Sequence, residues 1–506
     1  MLTRMDVASI RRWRWLLAIV VLLLAGTGRA NAQGCTGVSP STTGAVTWTP
    51  QWCQEFNANT VSSPDTTAWK FDLGNNGGWG NNEVEVYCGP PGYSGNDSKC
   101  PNTLSSSTNT VYQDGNGHLV IQPINVSGTW ISTRMLTAGI KTFQYGRIEA
   151  SLQLPDTTNP GLWPAFWSLG NSITTGTPWP NCGEADFMED WSPQVFNGPG
   201  PNGNKSTIHT AATGGNGTGG SFAFPNGQQA NTAFHTYGVI WSANMMQFYV
   251  DDATQPFLIK TPSDLSASDT WPFNAPIFLL MNVAVGGTLG GSTATLANPQ
   301  PLMADYVREY SSSALTKPSL GSPPSISVKA GAATGNTSTF TPSLTPGTGF
   351  VYFSCSTNAP KASCVISTSD HLNGHVVNSN SAESVTATIT TTSNAIAPPF
   401  LLRPRMRVWP VTIVGFLLLA VVALVLFKRS RELRCGFGFA TVVLLVLAGT
   451  AMAGCGGGYS TAPPPANNGT PPGSYSITVY AFTQANTSDG SNANADVSVA
   501  IPVTVN

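Results

Sequence analysis

Three acids crowd the segment NCGEADFMEDW (181–191): Glu184, Asp186 and Glu189. In an extended chain alternate side chains share a face, so Glu184 and Asp186 point together while Ala185 and Phe187 point away. Strict alternation sends Glu189 to the other face. One β-bulge near Phe187-Met188 brings it back and sets three carboxyls in a row. Acids gathered on one concave surface repel each other, which keeps at least one protonated near neutral pH, as an acid catalyst requires. Cleavage of a glycosidic bond with retention uses two carboxyl groups about 5–5.5 Å apart, one as nucleophile and one as acid/base. The plainer reading is a solvated acidic strand end. Against it stand Ala185, Phe187 and Met188, which mark a strand packed on a core, so that acids on its other face line a cleft or meet solvent.

The elements that must hold these acids read as strands. Short apolar or alternating runs recur from Trp48 to Tyr310 with Gly, Asn and Pro turns between them, among them HLVIQPI (118–124), GRIEASLQL (146–154), TYGVIWS (236–242), MQFYVDD (246–252) and PIFLLMNVAVGG (276–287). No helical period accompanies them, which argues for a sandwich or barrel. Composition agrees: only 9% of the 506 residues are charged, and Gly reaches 52, a mixture poor in the Lys and Glu that exposed helix faces use. Net charge is −2, with no basic block away from the apolar runs described below. Nucleic acid, whose binding rests on phosphate neutralisation, is therefore not expected as a partner. Of 14 Trp, 11 fall between Trp48 and Trp271, a density that suits stacking on sugar rings as well as core filling.

The rest of the chain divides by composition. Residues 1–32 read as an export signal: Arg11-Arg12-Trp13-Arg14, an apolar run from Leu16 to Leu24, then Ala30-Asn31-Ala32 before the cut. A catalytic region over 45–310 is followed by a Ser/Pro/Gly-rich linker at 311–324. Residues 325–396 again look all-β. Two apolar stretches come next, 408–427 and 436–453, each long enough to span a bilayer, with KRSRELR (428–434) between them. Export of the catalytic region makes these a transmembrane hairpin with its basic turn inside. Strand-like sequence resumes over 473–506. Since both ends of a hairpin emerge on one side, the two strand-rich pieces are expected either to complete one immunoglobulin-like β region or to form two unrelated β fragments. Nine Cys fit an oxidising compartment, with Cys35/Cys53, Cys88/Cys100 and Cys355/Cys364 close enough to pair locally.

The acidic segment resembles the signature of glycoside hydrolase family 16, in the bulged E-x-D-x-x-E form of its laminarinase-like bacterial members. Further segments resemble the family in order: GGWGNNEVEVY (77–87), YGRIEASLQLP (145–155), GLWPAFWSLG (161–170), FHTYGVIWS (234–242) with FYVDD (248–252), WPFNAPIFLLMNVAVGG (271–287) and ADYVREY (304–310). The resemblance covers about half the chain and implies a concanavalin-like jelly-roll β-sandwich. It implies that Glu184 is the nucleophile, Asp186 the assisting carboxylate and Glu189 the acid/base. It puts Trp163 and Trp167 beside the catalytic strand, Trp79, Asn82 and Glu83 along the cleft, and His209 near the acid/base. No cofactor is required. Members often hold a structural calcium on the convex face, where Glu55 and Asp305 sit at the expected positions.

The expectation is thus an exported, membrane-anchored, retaining endo-β-glucanase acting on β-1,3-glucan or on mixed β-1,3/1,4-glucan. The rivals are a non-catalytic glucan-binding surface protein, and a family-16 enzyme of other specificity such as a galactan hydrolase or transglycosylase. Other features are read as structural. GGNGTGG (214–220) lacks the strand-then-helix context of a phosphate loop, His371 and His375 have no carboxylate with them, and Cys182 is a small buried filler.

Overall fold

The computed structural model describes residues 34–213, 215–266, 269–296, 301–313, 317–345, 347, 349–368, 376–393, 421 and 469–506. The expected export signal lies outside the described residues, as do both apolar stretches apart from Val421. No helix among the described residues is long and apolar enough to cross a membrane.

The strand runs become strands, and the chain is all-β. Two antiparallel sheets form the first unit. One has ten strands and is built around Gly146–Gln153, His235–Ser242 and Leu302–Ser312. The other has seven, in the order Thr218–Ala223, Gly203–His209, Glu184–Glu189, Leu162–Gly170, Ile277–Val285, Arg134–Leu136, Lys70–Asp72. Their facing side chains make one core that includes Trp52, Trp69, Phe143, Phe166, Phe187, Trp241 and Phe248, all at most 1% exposed. Burial of this much aromatic surface is the main force holding the sheets together, at about 25 cal/mol per Å² of apolar area. Ile277–Val285, buried at every position, is an interior strand of the seven-stranded sheet, between Leu162–Gly170 and Arg134–Leu136.

A second unit follows. Its five-stranded sheet runs Ile326–Val328, Val497–Val505, Gly473–Thr483, Phe350–Thr357, Val376–Asn378, and its three-stranded sheet runs Thr337–Phe340, Val385–Thr391, Ala362–Thr368. Phe353, Ile366, Ile389, Val479 and Ile501 share the core between them. The two strand-rich pieces of sequence therefore meet in one sheet, where Phe350–Thr357 pairs antiparallel with Gly473–Thr483. The expected linker is not a free spacer. The strand of the first unit continues to Ser312, Leu320 is 3% exposed and Ser319 donates its N–H to the Ser343 carbonyl at 2.9 Å.

The units share an interface. Phe350, Tyr352, Val376 and Phe482 join the core of the first unit. Asn244 Nδ2 donates to the Gly490 carbonyl at 2.8 Å and Asn274 Nδ2 donates to Asn244 Oδ1 at 2.8 Å. The three expected disulfides, Cys35–Cys53, Cys88–Cys100 and Cys355–Cys364, are all closed, and Cys182 is buried and free.

Candidate active site

The acidic segment forms the strand Glu184–Glu189, paired on one side with Leu162–Gly170 and on the other with Gly203–His209. Its register slips as the sequence requires. Trp167 faces Asp186, Phe166 faces Met188 and Ala165 faces Glu189, which leaves Phe187 as the extra residue. Phe187 and Met188 are both fully buried, and the Phe187 ring meets Phe166 edge-on at 5.3 Å. A bulge strands a backbone carbonyl, and an unpaired carbonyl in a core is costly. Here Ser206 Oγ donates to Phe187 O at 2.8 Å and Asn204 Nδ2 donates to it at 3.4 Å. Both side chains stand on the core face of the next strand, fully buried. The bulge is thus built into two strands.

On the opposite face the carboxyls are individually partnered. Trp179 Nε1 donates to Glu184 Oε2 at 2.9 Å, and Trp163 Nε1 donates to Glu189 Oε1 at 3.1 Å. His209 lies directly across from Glu184 in the register, with Nε2 3.2 Å from Asp186 Oδ2 and 3.7 Å from Glu184 Oε1. The resemblance put this histidine beside the acid/base. The structure sets it against the other two acids, because cross-strand pairing fixes it opposite Glu184. Its Nδ1 is 3.0 Å from the Gly215 carbonyl; a carbonyl only accepts, so Nδ1 carries a proton. The 3.2 Å approach has ion-pair spacing without hydrogen-bond alignment, since Asp186 Oδ2 has no hydrogen-bond partner.

Electrostatics push all three acids the same way. Burial pushes Glu189 up to about 8, the Asp186 charge adds to this, and His209, the Trp163 N–H and Lys205 oppose it. Burial likewise raises Asp186 well above the usual carboxylate range. Glu184 is raised by burial, then by Asp186, while the imidazole of His209 and the Trp179 N–H act against the rise. Burial and mutual repulsion thus raise all three acids, so the cluster holds protons near neutral pH, as acid catalysis needs, and the division of roles rests on their places along the bulged strand.

The surrounding residues sort differently. Trp163 and Trp167 alternate onto the cleft face of Leu162–Gly170, and Trp167 Nε1 donates to Asn282 Oδ1 at 2.8 Å. Trp79 lies under the Arg134 guanidinium, 3.9 Å from ring to charge, and Asn82 is exposed with φ at 60°. Glu83 is 6% exposed, and its oxygens accept from Asn81 Nδ2 at 3.1 Å and Tyr87 OH at 2.9 Å, so it braces the cleft loop. The expected calcium pair does not fit. Both Glu55 oxygens are taken by Arg308, at 2.8 and 2.6 Å, and a carboxylate held by a guanidinium fork is a poor ion ligand. Among the described residues the one group of three possible ligands is Glu184, Asp186 and His209, whose atoms lie within 4.8 Å of each other. An ion there would occupy the acids themselves.

Reading by strand alternation missed Trp179, Ser206 and Asn204. Trp179 was signalled only by an aromatic in the Pro-rich turn five residues before Glu184; the other two bear on the site through the core face, which periodicity assigns to packing.

The profile of Glycosyl hydrolases family 16 matches residues 99–308. A Beta-glucanase from Rhodothermus marinus is 33% identical over 276 residues, spanning 52% of this chain and 85% of the relative. A Glucan endo-1,3-beta-glucosidase A1 from Niallia circulans is 31% identical over 288 residues, 51% of this chain and 37% of the relative's length. Among solved structures, the catalytic domain of an endo-1,3-beta-glucanase (laminarinase) from Thermotoga petrophila RKU-1 is similar at 30% identity and a TM-score of 0.43, covering 53% of this chain and 99% of that one.

Proposed function

The chain belongs to glycoside hydrolase family 16, and from that premise we propose that it is a retaining endo-β-glucanase, cleaving β-1,3-glucan or mixed β-1,3/1,4-glucan through a glycosyl-enzyme intermediate. The observation that carries this reading is the bulge that turns Glu184, Asp186 and Glu189 onto one face, with a tryptophan N–H on each glutamate. In this mechanism Glu184 attacks the anomeric carbon while Glu189 gives its proton to the leaving oxygen. Glu189 then takes a proton from water, which releases the sugar from Glu184. Asp186 and His209 hold the Glu184 carboxyl and tune its charge. Relatives named for glucan hydrolysis support the substrate class. A non-catalytic glucan-binding protein would have no use for three buried acids gathered on one face of a bulged strand. A reducing-sugar assay over laminarin, barley β-glucan, cellulose and galactans tests the reading. Release from the β-1,3-linked substrates alone or with barley glucan is expected, and activity confined to galactans would overturn it.

Export to an oxidising compartment is part of the proposal, supported by the A-x-A sequence before Gln33 and by three disulfides. So are the immunoglobulin-like character of the second unit and a membrane hairpin over 408–453, the latter supported by span length. Single cysteines at Ser311, Ser430 and Ser498 test the hairpin in intact cells. Impermeant labelling of the first and third but not the second is expected, and labelling at Ser430 would sink it.

A further inference from the structure

Glu85 belongs to the cleft loop, and its side chain is fully buried. One oxygen is accounted for: Oε2 accepts the Val285 N–H at 2.8 Å. The other, Oε1, meets no donor. Its neighbour is another carboxyl, Glu83, which lies within hydrogen-bonding reach and already accepts from Asn81 and Tyr87. Two carboxylates side by side in a dry site repel strongly. Among the described residues no cation is paired with either carboxyl: Arg134 is bound through Nε to Asp72 at 2.7 Å and spreads over the rings of Trp79 and Tyr87. Glu83, Tyr87 and Arg134, with Asp72 behind the guanidinium, are the titratable and charged groups around Glu85.

We infer that Glu85 is a positioning residue that works as the neutral acid, donating a hydrogen bond from Oε1 to Glu83 and so pinning the cleft loop (residues 78–87) to the strand Ile277–Val285 of the catalytic sheet. The surrounding bonds show what is pinned. Val84 donates its N–H to Val285 O at 3.0 Å and Thr288 donates to Asn81 O at 2.7 Å. Asn75 Nδ2 clasps the Glu83 and Glu85 carbonyls at 3.0 and 2.8 Å. From Glu83 the line continues through the Tyr87 hydroxyl, which Asn282 Nδ2 approaches at 3.4 Å, and Asn282 Oδ1 holds the Trp167 indole. The pair therefore sits at the joint between Trp79 and Asn82 on the loop and Trp167 on the strand beside Asp186. Burial foremost, then the bond to Glu83 and its charge, push Glu85 up to about 8. Loss of the shared proton above that range leaves two anions at the joint, and the loop loses its anchor.

The inference rests on the glucanase reading, and the test separates the two. Glu85→Gln supplies an amide N–H where the acid supplied a proton, and its carbonyl still accepts from Val285. In the wild type KM for laminarin should rise several-fold between pH 7 and pH 9, while in Glu85→Gln it should stay level, as rescue by the conservative variant; Glu85→Leu should show the raised KM throughout. Thermal unfolding gives an activity-free readout. A carboxyl raised in the folded state contributes stability that is full below its unfolded pKa and lost as pH rises to about 8. The wild type should therefore lose melting temperature over that window relative to Glu85→Gln. Parallel melting curves and identical KM profiles for the two proteins would overturn the inference. Absence of hydrolysis in both would strike the glucanase reading alone, since the melting comparison still decides this one.

Discussion

The Trp179 indole N–H points at Glu184 Oε2 from 2.9 Å, yet the ring itself is 45% exposed. One side chain thus tunes a buried acid and offers a face at the cleft. Trp179→Phe keeps the face and deletes the donor. A hydrogen bond to a charged group contributes about 1.5–3 kcal/mol, so kcat should fall about ten- to a hundredfold. Because the N–H favours the anion, its loss should also move the acid limb of the pH profile upward. An unchanged acid limb in steady-state kinetics would remove Trp179 from this role.

Glu184→Gln should abolish turnover while oligosaccharide binding, read by calorimetry, persists. Glu184→Gly should recover with azide and yield a glycosyl azide of the opposite anomer, since a small anion takes the place of the missing carboxylate. Wild-type turnover by Glu184→Gln on every glucan would end the nucleophile assignment.

Glu189, pushed up to about 8 chiefly by burial, is expected to set the alkaline limb of kcat. Lys205 stands across the sheet from it and opposes the rise, so Lys205→Met should shift that limb to higher pH. Glu189→Ala should lose natural glucans but still carry out the first step on aryl glycosides with good leaving groups. Equal losses on good and poor leaving groups would contradict the acid role.

Ser206→Ala removes the better of two donors from the bulge carbonyl. Leaving a buried acceptor short costs about 1–3 kcal/mol, expected as a lower midpoint in urea. The activity lost should be kcat, since Glu184 and Glu189 no longer hold their spacing. A variant with normal stability and kcat would show that the sheet tolerates an unpaired Phe187 carbonyl.

Gly490 has φ at 76°, and a Cβ there would come within 2.1 Å of Asn274 Nδ2. Gly490→Ala should therefore pry the second unit from the first. Calorimetry is expected to give one unfolding transition for the wild type and two for the variant, and a single transition in both would argue against a latch at this position.

Much of this was legible in the residues. Strand runs, the bulge, and the three acids on one face follow from period-two alternation, which EADFME obeys until Phe187-Met188 breaks it. Local disulfides followed from short spacing. What alternation does not encode is a partner arriving from a distant part of the chain. Glu83 looked like a cleft residue, and only the fold brings Tyr87 and Asn81 onto both its oxygens. Glu55 looked like an ion ligand until Arg308, far along the sequence, closed on it. His209 sits where cross-strand register puts it, and register is settled by pairing the whole sheet.

The strand Gly473–Thr483 is hydrogen-bonded along both of its edges, to Phe350–Thr357 and to Val497–Val505. A ribosome making this chain from its N-terminus finishes the catalytic sandwich at Ser312 long before that strand appears. The earlier strands of the second unit must therefore wait with an edge open, and an open edge invites pairing with another chain. Closing so long a loop adds little to the entropy cost, which grows only with the logarithm of length; the difficulty is one of timing. The same arrangement makes the last two strands a removable part. A chain cut between residues 394 and 468 should hold together without its covalent link, and a separately made peptide of residues 469–506 should be able to dock onto a chain that lacks them.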